Sequence, residues 1–189
     1  LVKDKFITRK DQAVLLSLDD ETQITIGPFS SFVVEELLTE KSNRTILNLF
    51  YGFVHNKVKK QYGSDRPYIV KTPVAVMGVR GTKFTVEHDS RLRETRVHTF
   101  EGVVAMASLK SASTLDRTLS GSIEGALRAL NTTTLAVQVK AGQQSRLSPA
   151  LQTPEPPKPF EKKEFQQNIE RRFPTVAPSV LETSSKRGP

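Results

Sequence analysis

Apolar residues recur on alternate positions along much of the chain: Val14, Leu16 and Leu18, then Ile24 and Ile26, Phe32 and Val34, Leu47 and Leu49, Tyr68 and Val70, and Phe84 and Val86. A period of two puts successive side chains on opposite faces of an extended chain, so each run predicts a strand with one buried face. Turn-forming residues separate the runs at short intervals: Asp19-Asp20, Gly27-Pro28, Ser42-Asn43, Gly52, residues 63–65, residues 78–81, Asp89-Ser90 and Glu101-Gly102. Short strands at such spacing indicate a sandwich, barrel or solenoid rather than alternating strands and helices. Residues 74–79 are apolar on both faces, which predicts a central strand covered from two sides.

The pattern changes after Ser108. Residues 111–119 are polar and unpatterned, while Ile123, Ala126, Leu127 and Leu130 fall at helical spacing before Asn131, which predicts a short helical insertion within about 110–133. Leu135, Val137 and Val139 resume the alternation, and residues 143–147 supply a last strand. The expected body is therefore an all-β domain over residues 1–148. In the remaining 149–189, Pro154, Pro156, Pro157 and Pro159 remove backbone donors and favour an extended spacer. Phe160, Phe165, Ile169 and Phe173 then form one narrow apolar face on a helix expected over 161–172. Docking of that face, on the body in the first place or else on a partner, keeps its aromatics out of water.

The 189 residues carry a formal net charge of +8, with the excess in the middle of the chain. Ten basic residues stand against four acidic ones between Lys57 and Arg96. Such a surplus attracts polyanions. With aromatics close by in sequence, Lys57, Lys59, Lys60, Tyr62, Arg66, Tyr68, Arg91 and Arg93 make a candidate binding surface, with cell-wall glycan as one ligand class. Nucleic acid is not expected: residues 78–81 match the GxxG loop of KH domains, but that loop joins two helices and here it lies between strand-like runs.

Candidate chemistry is sparse. The chain has no cysteine, which excludes disulfides, thiolate metal sites and a cysteine nucleophile. Its three histidines, His55, His88 and His98, lack metal-ligand spacing, and no serine sits in a nucleophile elbow. No enzyme activity and no cofactor are expected. No run approaches the roughly 20 apolar residues of a membrane-spanning helix, and the chain opens on Leu1-Val2-Lys3-Asp4 without a signal-peptide pattern. It reads as a soluble piece of something longer, with any membrane association supplied by segments outside it.

One stretch is more specific. "YIVKTPVAVMGVRGTKFTVEHDSRLRETRVHTFEGVVAMAS" resembles the core signature of the FecR domain family, with Thr72, Pro73, Gly78, Val79, Arg80, Gly81, Thr82, Phe84, Glu101 and Gly102 at matching positions. "LSLDDETQITIGPFSSFVVEE", "ILNLFYGFVHNKV" and "VQVKAGQQSRL" are similar to the family's flanking strand pairs, so the resemblance covers most of residues 1–148. It implies a β-solenoid-like stack of short strands acting without catalysis in the periplasm or another extracytoplasmic part of the bacterial envelope. Another envelope protein is the implied partner, in signal relay or as a scaffold. A carbohydrate- or peptidoglycan-binding module using the basic 57–96 region is the alternative. In the stacked fold that the family implies, the five donors of Arg80 suit a bridge between carbonyls of adjacent coils, with ligand contact as the other role.

Overall fold

The computed structural model describes residues 1–39, 42–59, 66–79, 81–109 and 136–172. The helical insertion expected within 110–133 lies outside them, as do Lys60, Tyr62, Arg80 and Phe173. The described residues form thirteen strands and one helix. The strands are β1 (Lys5–Ile7), β2 (Val14–Ser17), β3 (Gln23–Ile26), β4 (Ser31–Glu36), β5 (Thr45–Lys57), β6 (Tyr68–Lys71), β7 (Ala75–Val79), β8 (Lys83–Asp89), β9 (Glu94–Glu101), β10 (Val103–Ser108), β11 (Ala136–Lys140), β12 (Gln143–Leu147) and β13 (Lys158–Pro159); the helix is α1 (Lys162–Arg172). No helix among the described residues is long and apolar enough to cross a membrane.

The strands join in the order β11-β10-β7-β6-β5-β8-β9-β12-β13, with β4 and β3 also paired to β5, and β1 and β2 beyond them. All described pairs are antiparallel except β5 with β6. This corrects the expectation of a solenoid-like stack. Coils that stack would place successive strands in parallel, whereas the short turns here return the chain beside itself, giving a curled open sheet. Alternation within one strand is the same in both architectures, so the pattern alone does not separate them.

β5 organises the curl because it changes neighbours halfway along. Its first half pairs with β4 and β6, and its second half, from Gly52, pairs with β8 and β3. Gly52 takes φ +98° at the pivot. A Cβ there would lie 2.2 Å from Ser30 Oγ and 2.6 Å from Ser30 Cα, so the site requires glycine on both conformational and steric grounds. Ser30 Oγ in turn accepts the Phe53 N–H at 3.0 Å, which fastens the crossing.

The inner face holds one core drawn from both halves. Leu16, Ile24, Ile26, Phe32, Val34, Leu47, Leu49, Tyr68, Val70, Phe84 and Val86, the alternating residues of the sequence pattern, are all buried in it. At about 1.5–3 kcal/mol for each large side chain taken from water, this layer is the main source of stability. β7 is central as expected. Met77 packs into the main core while Val76 faces the other way, into a smaller cluster with Ile46, Ile69 and Ala107. The tail returns to the sheet: β13 pairs with β12, and α1 buries Phe165 and Ile169 against Phe53 on the outer face.

Candidate functional site

The motif residues build the region around the β6–β7 turn. Pro73 fixes its own φ and biases Thr72 to an extended conformation. The Thr72 hydroxyl, buried, accepts the Ala75 N–H at 3.0 Å and meets the Thr95 hydroxyl at 2.7 Å. Thr95 Oγ1 lies 2.9 Å from His88 Nδ1, so one hydrogen-bonded line runs from the β6–β7 turn through β9 to β8. Burial holds His88 below the usual histidine range, against the opposing pull of Asp89. Val79 and Phe84 are in the core, Gly78 faces Ile69 and Ala105 across its two ladders, and Glu101 is exposed.

The second part of the motif closes the β9–β10 corner. Gly102 adopts φ +76°, and a Cβ on it would sit 2.7 Å from Thr82 Cγ2 and 3.0 Å from the Gly81 carbonyl oxygen. Gly81, Thr82 and Gly102 are therefore one close backbone approach, read in the sequence as two separate turn signals. Thr82 is buried and its carbonyl accepts the Val58 N–H at 2.9 Å, which ties the corner to the end of β5. Arg80, between these parts, lies outside the described residues.

The described basic residues of the candidate surface are spread over the sheet. Lys57 ends β5 beside Lys83, and Lys59 pairs with Glu21 at 2.6 Å. Arg91 and Arg93 are on the β8–β9 turn, beyond the Gly52–His88 pairing, about 17 Å away along the strands at 3.3 Å per residue. Arg66 is elsewhere again, in a groove with Glu36 and Arg44. Tyr68 is a correction: it is fully buried and its hydroxyl donates to Asn56 Oδ1 at 2.8 Å, so it belongs to the core and not to a surface. Its face is that of Val70, which points inward.

The histidines are buried, and two of them share a row that the sequence does not reveal. Registers place Thr25, His55, Thr85, His98, Gln144 and Lys158 side by side across β3, β5, β8, β9, β12 and β13. His55 Nδ1 meets Thr85 Oγ1 at 3.0 Å, while His55 Nε2 and His98 Nδ1 have no hydrogen-bond partner. Burial, with lesser repulsion from Lys83 and Lys57, pushes His55 down to about 3. Burial, reinforced by Arg96 and opposed by a hydrogen bond with Gln144, pushes His98 to about 4. Both rings are thus neutral at physiological pH.

Aromatic rings cover this row. Phe165 of α1 lies tilted at 4.6 Å from His98 and edge-on at 5.2 Å from Phe100, and Phe160 lies 5.1 Å from His98. Phe100 in turn meets His55 edge-on at 5.8 Å. The tail helix therefore covers His98, with Phe100 between it and His55, and its expected apolar face is seen at Phe160, Phe165 and Ile169. Among the described residues no group of histidine and carboxylate side chains could hold a metal ion. A groove of about 750 Å³ opens between the residues before β4, the Tyr51–Gly52 segment and the β8–β9 turn.

Comparison with known proteins accords with this fold. No curated protein sequence matches the chain. Two crystal structures of a candidate anti-sigma factor from Parabacteroides distasonis ATCC 8503 share its fold at 13% sequence identity. One superposes with a TM-score of 0.63 over 88% of this chain and 65% of its own, so the chain spans about two thirds of that protein. The other gives 0.60 over 92% and 76%. The family model described as FecR protein matches residues 4–105, which is 102 of the 189 residues. The chain belongs to the FecR family.

Proposed function

We propose that this chain is the protein-binding module of a bacterial envelope signal relay, working outside the cytoplasm and without catalysis. The observation that carries the reading is membership of the FecR family together with a fold like that of a candidate anti-sigma factor. The local chemistry is compatible with it. The Thr72 hydroxyl is engaged at its turn, Gly81 and Gly102 meet in a close approach, and His55 and His98 are neutral and covered. Residues 1–148 act as the module, and the described part of the tail, 149–172, is a strap laid on it. The motif from Thr72 to Gly102 serves this architecture rather than a ligand. The glycan alternative draws less support, because the basic residues that suggested it lie at separate ends of the sheet.

An epitope-tagged copy expressed from its own locus tests the reading. The protein is expected to resist added protease in intact cells and to be digested in spheroplasts. Formaldehyde treatment of cells should trap it in a discrete complex with another envelope protein. Protection in spheroplasts, or quantitative pelleting of the purified chain with sacculi, would overturn the proposal.

A further inference from the structure

Few side chains hold the tail helix to the sheet, and one polar ring lies beneath them. Among residues 161–171, Phe165 and Ile169 alone are buried. No hydrogen bond or ion pair joins an α1 side chain to the sheet among the described residues, and Gln166 donates to Glu170 within the helix itself. The segment before the helix is fastened differently. The Glu155 N–H donates to the Arg146 carbonyl at 2.9 Å, the Ser145 hydroxyl donates to the Glu155 carbonyl at 2.7 Å, and the Phe160 N–H donates to the Gly142 carbonyl at 3.1 Å. A helix tied by two apolar side chains beyond a hydrogen-bonded anchor can lift while the anchor and the sheet persist.

His98 is the polar ring that the helix covers. It is 7% exposed, with Phe165 at 4.6 Å and Phe160 at 5.1 Å, and its Nδ1 has no hydrogen-bond partner. A neutral imidazole keeps its charge-free ring in such a place at modest cost, whereas an imidazolium carries two N–H donors and a charge into it, with one donor unmet. The neighbouring charges do not offset that cost. Glu87 of β8, Arg96 of β9, Arg146 of β12, Lys158 of β13, and Glu161 and Glu164 of the tail line the cleft beside the ring, equal in number by sign. Arg96 opposes a charge on His98 and the hydrogen bond with Gln144 favours one, but burial outweighs both and leaves the ring at about 4. His55 lies against Phe100 and His88 against Thr95, so His98 is the histidine on which the tail rings rest.

We propose that the tail is an acid-released strap: the His98 ring accepts a proton only with α1 lifted, so falling pH frees Phe165 and Ile169 from the outer face while the sheet stays folded. Lifting α1 uncovers Phe53 and Phe100 on that face. Amide hydrogen exchange of the full chain, corrected for the intrinsic pH dependence of exchange, reads the opening of α1. Each pH unit below about 6.5 favours the open form about tenfold while the covered ring stays neutral. Opening should therefore increase about tenfold from pH 7.5 to 5.5, with the amides of β5 and β8 keeping their protection. His98→Gln should leave α1 opening level across that range, whatever its absolute value. Linkage is reciprocal, so Phe165→Ala, which loosens the helix, should raise the pH at which the His98 ring titrates by NMR toward about 6.5. Equal α1 protection at both pH values, parallel opening of the sheet, a His98→Gln slope like the parent's, or an unmoved His98 titration in Phe165→Ala would overturn the proposal. So would a pH dependence that Glu155→Gln removes and His98→Gln keeps, because acid would then act on the Glu155–Arg146 pair at 2.6 Å.

Discussion

Ser30, Gly52, Thr72 and Gly102 show how much of this fold depends on small groups at places where the backbone turns or crosses. Gly52→Ala would combine an unfavourable left-handed backbone with a Cβ 2.6 Å from Ser30 Cα, a main-chain atom that side-chain rotation cannot move. The expected loss is about 3 kcal/mol or more, since the conformational part alone is of order 1–3 kcal/mol. Gly142→Ala is the control. That residue also has positive φ, +80°, but nothing lies within 4 Å of the added methyl, so only about 1 kcal/mol should be lost. Urea unfolding of both variants checks the contrast, and equal losses would refute the steric argument. Thr72→Val removes the acceptor of the Ala75 N–H and the partner of the Thr95 hydroxyl, both inside the protein. It should cost about 1–3 kcal/mol, with most of it restored by Thr72→Ser, because an unpaired buried polar group loses its full compensation.

The tail strap makes its own prediction at the scale of elements. α1 holds to the sheet through Phe165 and Ile169, beside Phe160 and Phe100, so Phe165→Ala removes the ring that meets His98, Phe100 and Phe160 together. Truncations of buried Phe cost about 3–5 kcal/mol where the surroundings cannot collapse. A lid of one helix has fewer contacts to lose, so detachment is expected well before global unfolding. Chymotrypsin should cut the variant within the tail many times faster than the parent, while the sheet survives. Equal cleavage rates would show that the helix is not held by this ring. This strap was legible in the sequence because a helical period of apolar residues follows a run of prolines. The inward residues of the strands were legible for a similar reason, since Leu16, Ile24, Phe32, Leu47 and Phe84 keep a strict period of two. Pairing was not. Period two says which residues share a face, but it does not say that β6 runs parallel to β5 or that β10 returns beside β7. The stacked architecture and the placing of Tyr68 on a surface failed on that non-local information. The groove and the histidine row went unseen for the same reason, because each gathers residues that only the registers bring together.

Across the whole molecule, the buried histidines set the response to acid. His55, against Phe100, and His98, against Phe165 of α1, are pushed down to about 3 and about 4, and His88 is lowered as well. The charged groups around the row are Lys57 and Lys83 near His55, and Arg96, Arg146, Lys158, Glu87, Glu161 and Glu164 around the cleft that His98 lines. A histidine that binds its proton near 6.5 when unfolded but only near 3 or 4 when folded gives the unfolded chain more bound protons between those values. Stability therefore rises with pH in that window, is fully present above about 6.5, and is lost as pH falls toward the folded values. Each histidine contributes a slope of about 1.4 kcal/mol per pH unit while it is protonated only in the unfolded chain. Chemical denaturation is thus expected to give a flat stability from pH 8 to about 7 and a steep fall between roughly 6 and 4, the two rings together approaching about 2.7 kcal/mol per unit. Replacing His98 by Gln, which keeps a polar group against Gln144 but cannot titrate, should flatten the acid limb by about half even if it lowers the plateau. A parent curve as flat at pH 5 as at pH 8, or a His98→Gln curve parallel to it, would show that these rings are charged or exposed in the folded protein.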